Sequence, residues 1–334
     1  MMIVSVVIPI YNAAQYIEKC LRSVMNQTVA QCVECILVDD CGEDNSIGAA
    51  ESFLAKEGYC ACECGTFVST HSSLTFRIVH HDHNKGHSAA RNTGIDVAQG
   101  KYIYFLDSDD WIIPDCLEKM LELAIKYPDS QIIFAGATAT SGRYNWLDYE
   151  KKTLPEYSCD HDWLQLSMLR RFDFGMTCWN KLILRSFILE HNLSFVEGYV
   201  HQDEMWNFDL SKHIQSAAFL KQNTYVYNIR DNSTITGASD DVRWKRLFAL
   251  WYVLLSKLDE NNKEIQIRAI AACIIEKTGR EIPKHHRMPL FKLFYKLSTQ
   301  SQGVLSLVLF VQGTLALCIP SKFKNHYTCS CIRL

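Results

Sequence analysis

Asp107, Asp109 and Asp110 fall within four positions of one another in KYIYFLDSDDW, residues 101–111. Three carboxylates this close repel unless a cation shares them. An oxygen-only cluster suits a hard divalent ion, Mg2+ or Mn2+, which keeps several waters and bridges to phosphate. A turn in which one Asp caps a helix near Pro114 accounts for one acid, not three. A second grouping, NKGHSAARNTGI at 84–95, places Gly86 for a tight turn, Ser88 as an N-cap and a helix from Ala89, whose free N–H groups form an anion site. Arg91 then lies in the first turn, where a cation opposes the helix dipole. An anionic ligand explains it better than helix stability does; pairing with a nearby acid is the alternative. Asp39-Asp40 form the third grouping. Besides capping a turn, a carboxylate at a strand end can accept from a base N–H or ribose hydroxyls, and Tyr11 offers a stacking face.

Four β-branched or aromatic runs position these groups: Val4–Ile10, Glu34–Val38, Phe76–His80 and Lys101–Leu106. Helix-like segments alternate with them at Gln15–Met25, Ser46–Lys56 and Ser88–Gln99, the last stopped by Gly100 as a C′ residue. The runs are apolar throughout, which predicts a parallel sheet covered on both faces. In such sheets ligands bind beyond the carboxyl ends of the strands, where both acidic groups fall. A helix is expected over Leu117–Lys126, a mixed aromatic-rich stretch to about Thr236, and helices from Asp240. Absence of GxGxxG after the first strand disfavours an NAD-linked oxidoreductase.

The 334 residues carry a net charge of −3, unevenly spread: residues 1–281 sum to −10 and residues 282–334 to +7, with no Asp or Glu after Glu281. Each half therefore implies its own partner. Residues 297–321 contain no charge, yet their apolar part falls short of the ~20 residues that span a bilayer. One reading is a buried core helix. The other, favoured by the missing acids, is a helix lying in an anionic membrane interface with basic flanks. His285 and His286 read as membrane-facing charge reserve. The N-terminal MMIVSVVIPIYN lacks the features of a secretory signal, and the 14 Cys read as reduced thiols. CVEC (Cys32, Cys35) reads as small buried hydrophobes. CACEC (Cys60, Cys62, Cys64) with His71 offers a Cys3His zinc set, but no CxxC pair supports it, and a variable loop is the preferred reading.

Taken in order, VSVVIPIYNAAQYIEKCLRSVMNQT, ECILVDD, NKGHSAARNTGI and YIYFLDSDDW resemble the inverting glycosyltransferases of family 2, most specifically over residues 3–115 and more loosely to about residue 236. The resemblance implies an α/β fold of the GT-A type, a Rossmann-like, mostly parallel sheet flanked by helices, here with a helical C-terminal extension. It implies that Tyr11 and Asp39 cradle the nucleotide base, with Pro9 and Asn12 in the same nucleotide-binding set and Asp40 near the ribose or base. Arg91 would face the diphosphate or base. Asp107-Ser108-Asp109 matches the family DxD motif: Asp109 would be the direct metal ligand, Asp107 would stand nearer the ribose and metal waters, and Ser108 would lie in the nucleotide site. Asp110 has the weakest claim. TCWNKLILRSFI resembles a W-N-K-L segment, and VEGYVHQDEMW a segment whose Asp, here Asp203, is the catalytic base. Glu204 is the fallback, and Gln202 stands where the family usually has Glu. Asn228 replaces a common Arg, leaving Arg230 as a candidate acceptor or phosphate contact.

The expected protein is thus a Mn2+- or Mg2+-dependent inverting glycosyltransferase. It would take a UDP-sugar donor and a glycan or lipid-linked saccharide acceptor in surface polysaccharide synthesis, with no nucleic-acid partner. The expected division is residues 1–235 as catalytic domain (1–115 for the nucleotide sugar, 116–235 for the acceptor) and 236–334 as a helical region. Residues 282–334 of that region would meet an anionic membrane on its cytoplasmic face. A metal-dependent nucleotidyltransferase and a non-catalytic sugar-nucleotide or membrane scaffold are the alternatives. The first would usually show a Gly-rich basic loop after the first strand, where PIYNAAQYIEK has no glycine.

Overall fold

In the first strand, VSVVIPI, every side chain is buried, as expected of a strand covered on both faces. The computed structural model describes residues 3–29, 33–141, 147–168, 174, 177–229, 239–278 and 282–318. The strands are β1 (Val4–Ile10), β2 (Val33–Asp39), β3 (Cys60–Ala61), β4 (Thr66–Val68), β5 (Thr75–His80), β6 (Tyr102–Phe105), β7 (Trp111–Ile112), β8 (Ile132–Ala139), β9 (Tyr157–Ser158), β10 (Lys181–Leu184) and β11 (Ala217–Tyr227). The helices are α1 (Ile17–Met25), α2 (Ser46–Lys56), α3 (His87–Val97), α4 (Cys116–Lys126), α5 (His161–Met168), α6 (Arg185–Glu190), α7 (Gln202–Ser211), α8 (Asp240–Ser256), α9 (Lys263–Lys277), α10 (Lys284–Gln300) and α11 (Gly303–Cys318).

One sheet runs β3-β4-β5-β2-β1-β6-β10-β8-β11-β7, with β9 added against β11. Its centre is parallel: β1 pairs with β2 on one side and β6 on the other, and β2 pairs with β5. The chain winds outward from β1 through β2 to β5, then returns through α3 to β6. That reversal at β1 opens a crevice at the carboxyl ends of the strands. The mostly parallel α/β architecture matches the expectation. One inversion was not foreseen: β10 lies antiparallel between β6 and β8. It therefore enters the sheet at the edge where β1, β2 and β6 leave it, delivering residues 178–180 to the crevice.

The opposite end is locked by a buried acid. Glu34 of β2 accepts from Ser5 Oγ at 2.5 Å, Gln99 N at 2.6 Å and Gly100 N at 3.1 Å. Gly100 is required by close approach, since a Cβ there would lie 2.6 Å from Ser5 N. It is not a helix C′ residue as expected, because α3 stops at Val97 and passes through extended Ala98. The N-terminus of α3 also differs. Gly86 (φ 89°) is its N-cap and His87 its first residue, so Ser88 lies inside the helix.

Two apolar clusters meet at α7. Trp206 and Leu210 pack into the cluster around the sheet, while Met205 and Phe208 pack into a helical cluster with Trp251, Ile270 and Leu293. The last two helices form a hairpin so close at Gly313 that a Cβ would lie 2.9 Å from Phe294 Cβ. In α11, Leu305, Leu309 and Ala316 are buried while Leu307, Phe310 and Val311 are exposed, so the helix is neither wholly core nor wholly surface. Among the described residues no helix is long and apolar enough to cross a membrane. His286 departs from the membrane-facing reading: it is buried, stacked on Trp244. The cysteine-rich stretch forms the short β3–β4 hairpin at the sheet edge, with Cys60 and Cys62 exposed. Cys32, Arg230, the side chain of Cys64 and residues 319–334 lie outside the described residues.

Candidate active site

At the end of β1, Tyr11 is exposed, whereas Pro9 is buried within the strand. Asn12 (φ 51°) turns its Oδ1 to accept from Glu43 N at 2.8 Å and Asp44 N at 3.3 Å, so it shapes the loop after β2. A cavity of about 170 Å3 opens beside it, lined by residues including Asp39, Cys41, Gly42 and Asp44. Asp39 stays partly accessible at this cavity, held by His80 Nδ1 at 2.8 Å and Cys41 N at 3.1 Å. Asp40 behaves differently. It is buried, and its two oxygens accept from Lys85 N and Gly86 N at 2.8 Å each, with His81 Nδ1 also at 2.8 Å. Its carboxylate is thus spent on the turn that launches α3.

Arg91 is drawn into the interior. Instead of facing outward in the first turn of α3, its guanidinium is buried, donating to Asp107 Oδ1 at 2.7 Å and Asp203 Oδ1 at 3.4 Å. Phe195 covers the guanidinium at 5.4 Å. Burial opposes the charge, but the carboxylates of Asp107 and Asp203 outweigh it, and the Arg91 pKa stands above its ordinary value. The alternative of pairing with nearby acids is the one found, in the interior and with two acids rather than one.

The acidic loop leaves the end of β6. Asp107 engages Arg91 through Oδ1, and its backbone N–H donates to Tyr225 Oη at 3.3 Å. Ser108 is buried, and Asp109 is half-buried on the same loop. Asp110 turns inward: Tyr225 Oη donates to its Oδ2 at 2.6 Å and Asn228 N to its Oδ1 at 2.7 Å. Burial, with Asp109 and Asp107 beside it, pushes the Asp110 carboxyl well above the usual range. Asp110 thus fastens the loop to the end of β11. Asp107 and Asp109 are an all-oxygen donor pair, the chemistry that suits a hard divalent cation.

Asp203 stands in the first turn of α7, behind a left-handed N-cap at His201 (φ 68°). Its Oδ2 accepts from Cys178 N at 3.2 Å, a donor supplied by the entry into β10. The Asp203 side chain is 24% exposed. Burial and the Asp107 charge raise its pKa, and Arg91 works against that rise. Gln202 reaches back to α3, where Ser88 Oγ lies 2.8 Å from its Oε1 and 2.7 Å from Val196 O. One hydroxyl proton cannot serve both acceptors, but an amide rotated to donate from nitrogen satisfies the trio. The W-N-K segment is scaffold. Trp179 stacks on Tyr225 at 4.3 Å, and Asn180 Oδ1 accepts from Tyr104 Oη and Thr224 Oγ1 at 2.8 and 3.0 Å. Burial pushes the Lys181 amine down to about 8.

Arg91, Asp107 and Asp203 therefore share one cluster across 112 residues of sequence, and Asp39 lines a separate cavity at the neighbouring strand end. His80, His81 and Tyr225 were not singled out from sequence. The run VHHDHNKG at the end of β5 and the aromatic alternation YVY before Asn228 are the signals that mark them.

The family model described as glycosyl transferase family 2 matches residues 5–181. EpsH of Bacillus subtilis, named as a glycosyltransferase, is 32% identical over 78% of this chain and 70% of its own length. The uncharacterized glycosyltransferase YibD of Escherichia coli K12 is 26% identical over 85% of this chain and 82% of its own length. The crystal structure of Staphylococcus aureus TarS 1–349 in complex with UDP-GlcNAc superimposes with a TM-score of 0.70 at 16% identity, covering 98% of this chain and 91% of that one. The mannosyltransferase PcManGT of Pyrobaculum calidifontis, in complex with GDP-Man and Mn2+, superimposes with a TM-score of 0.56 at 16% identity over 97% of this chain and 84% of that one.

Glu204, next to Asp203, is committed elsewhere. It accepts from Lys277 Nζ of α9 at 2.5 Å, with His201 Nδ1 at 3.3 Å. Burial alone would raise its pKa, but Lys277 and His201 depress it to about 2. A depressed carboxylate stabilises the fold above its unfolded pKa, and that contribution is lost as pH falls through the folded value. Glu204→Gln should therefore cost about 3 kcal/mol at pH 7 in denaturant unfolding, with the difference from wild type shrinking from pH 4.5 toward 2. A difference that stayed constant across that range would show that the ion pair contributes nothing.

Proposed function

The chain belongs to glycosyl transferase family 2, and from that premise we propose that it is a metal-dependent, inverting hexosyltransferase with Asp203 as its catalytic base. The observation that carries this is the shared guanidinium: Arg91 holds Asp203 and Asp107 in one cluster at the carboxyl end of the sheet. Asp203 takes the proton from an acceptor hydroxyl. That oxygen bonds to the anomeric carbon while the bond to the diphosphate oxygen breaks, and the electron pair leaves with the nucleoside diphosphate. Attack from the face opposite the leaving group inverts the centre, giving a β linkage from an α-linked donor. A UDP-sugar is the proposed donor, supported by the UDP-GlcNAc bound to TarS. Its base would lie against Tyr11 and in the cavity at Asp39, where His80 orients the carboxylate. Asp109 and Asp107 would hold Mn2+ or Mg2+, which when bound offsets the diphosphate charge. Asp203→Asn should reduce transfer at least 100-fold while leaving nucleotide affinity in Mn2+ unchanged, and EDTA should abolish turnover by wild type. Full activity in either case would remove the role assigned to that group.

The acceptor proposed is a glycan or lipid-linked saccharide of surface polysaccharide synthesis, met at the cytoplasmic membrane face. Residues 1–235 form the catalytic unit in this reading and 236–334 the docking part. Its support is a surface on which α10 exposes Lys284, Met288, Lys292, Tyr295 and Lys296 beside Leu307, Phe310 and Val311 of α11. Basic and aromatic side chains with no acid among them suit anionic headgroups. The full chain should float with vesicles containing phosphatidylglycerol and not with neutral ones, and Lys292→Glu with Lys296→Glu should abolish flotation. Equal flotation of wild type and variant would place the membrane contact elsewhere.

A further inference from the structure

The first turns of α8 and α10 meet at a cluster unrelated to the transfer site. Asp241 of α8 and His285 and His286 of α10 bring one carboxylate oxygen and two imidazole nitrogens within 4.8 Å of one another. His285 Nε2 lies 3.8 Å, and His286 Nε2 3.9 Å, from Asp241 Oδ1. Those separations are too long for hydrogen bonds. They are slightly wider than the roughly 3.4 Å expected between two ligands on a tetrahedral ion with bonds of about 2.1 Å.

A second observation points to a ligand. His286 is only 7% exposed, and its Nε2 has no hydrogen-bond partner among the described residues. Buried nitrogens are rarely left so, because the lost hydration is not returned. The ring itself is fixed, stacked on Trp244 with centroids 4.8 Å apart and flanked by Phe248 at 5.8 Å. Lys245 occupies the other oxygen of Asp241, bonding Oδ2 at 2.9 Å and leaving Oδ1 toward the histidines.

We propose that Asp241, His285 and His286 bind a borderline transition-metal ion of the Zn2+ class, with water in the fourth position. Two imidazoles and one carboxylate select such an ion, whereas the oxygen-only pair Asp107 and Asp109 selects Mg2+ or Mn2+. The site clamps α8 to α10. Its effect reaches the sheet through α9, because Arg243 of α8 donates to Lys277 O at 3.4 Å and Lys277 holds Glu204 beside Asp203.

The test uses the full chain, stripped with chelator and dialysed against Zn2+ in excess Mg2+, with bound zinc counted by mass spectrometry. Wild type should retain one more Zn2+ per chain than Asp241→Asn or His286→Gln, and Zn2+ should raise its melting temperature but not theirs. The exposed Asp241 side chain makes Asp241→Asn the variant that keeps the fold if His286→Gln does not. Equal zinc content in wild type and Asp241→Asn overturns the site, since the cysteines or the acidic loop would then hold the metal. A wild-type melting temperature that rises on acidification but not with Zn2+ also overturns it, in favour of a protonated His–Asp latch.

Discussion

A single buried cation holds the crevice together. Arg91 comes from the helix after β5, Asp107 from the end of β6, and Asp203 from the start of α7. Remove the guanidinium, and two half-buried carboxylates face each other across a crevice of low dielectric. Leave it, and the same repulsion becomes a fixed geometry, because an arginine fork offers donors in set directions. Arg91 is the fifth residue of α3, just past the turn where the helix dipole opposes a cation most, and it is held there by two carboxylates.

Everything around that contact keeps its three contributors in place. Asp40 uses its oxygens to shape the Lys85–Gly86 turn, which sets where α3 begins and so where Arg91 points. Asp110 ties the acidic loop to β11 through Tyr225 and Asn228. On the other side, Gln202 meets Ser88, and Glu204 is gripped by Lys277. The helix bearing Asp203 lies between two apolar clusters. Its position therefore depends on the C-terminal helices as well as on the sheet, and that is a physical reason for a transferase of this fold to retain them.

The apolar runs of β1, β2, β5 and β6 were legible in sequence because strands buried on both faces have a simple composition. The acidic loop was legible because three neighbouring carboxylates demand an explanation. The fate of individual charges was not. Partners of Arg91 and Asp40 lie 112 and 45 residues away, and only the fold brings them together. The inversion of β10 had the same cause: a four-residue strand carries no mark of its direction. His286 was misread because the basic, apolar composition around it describes one face of α10, and the histidine lies on the other.

At the centre is the pairing by which Arg91 tempers the proton affinity that burial gives Asp203. It is tested most directly by the pH dependence of kcat/KM in wild type, Arg91→Lys and Arg91→Gln, with nucleotide binding measured alongside. Burial raises the Asp203 pKa, and Arg91 restrains the rise. The acid limb of the wild-type profile should therefore lie above the ordinary value for an aspartate. It should move to higher pH in Arg91→Gln, and Arg91→Lys should stay nearer wild type. An acid limb that stays in place, or moves to lower pH, when the guanidinium charge is removed would contradict the account.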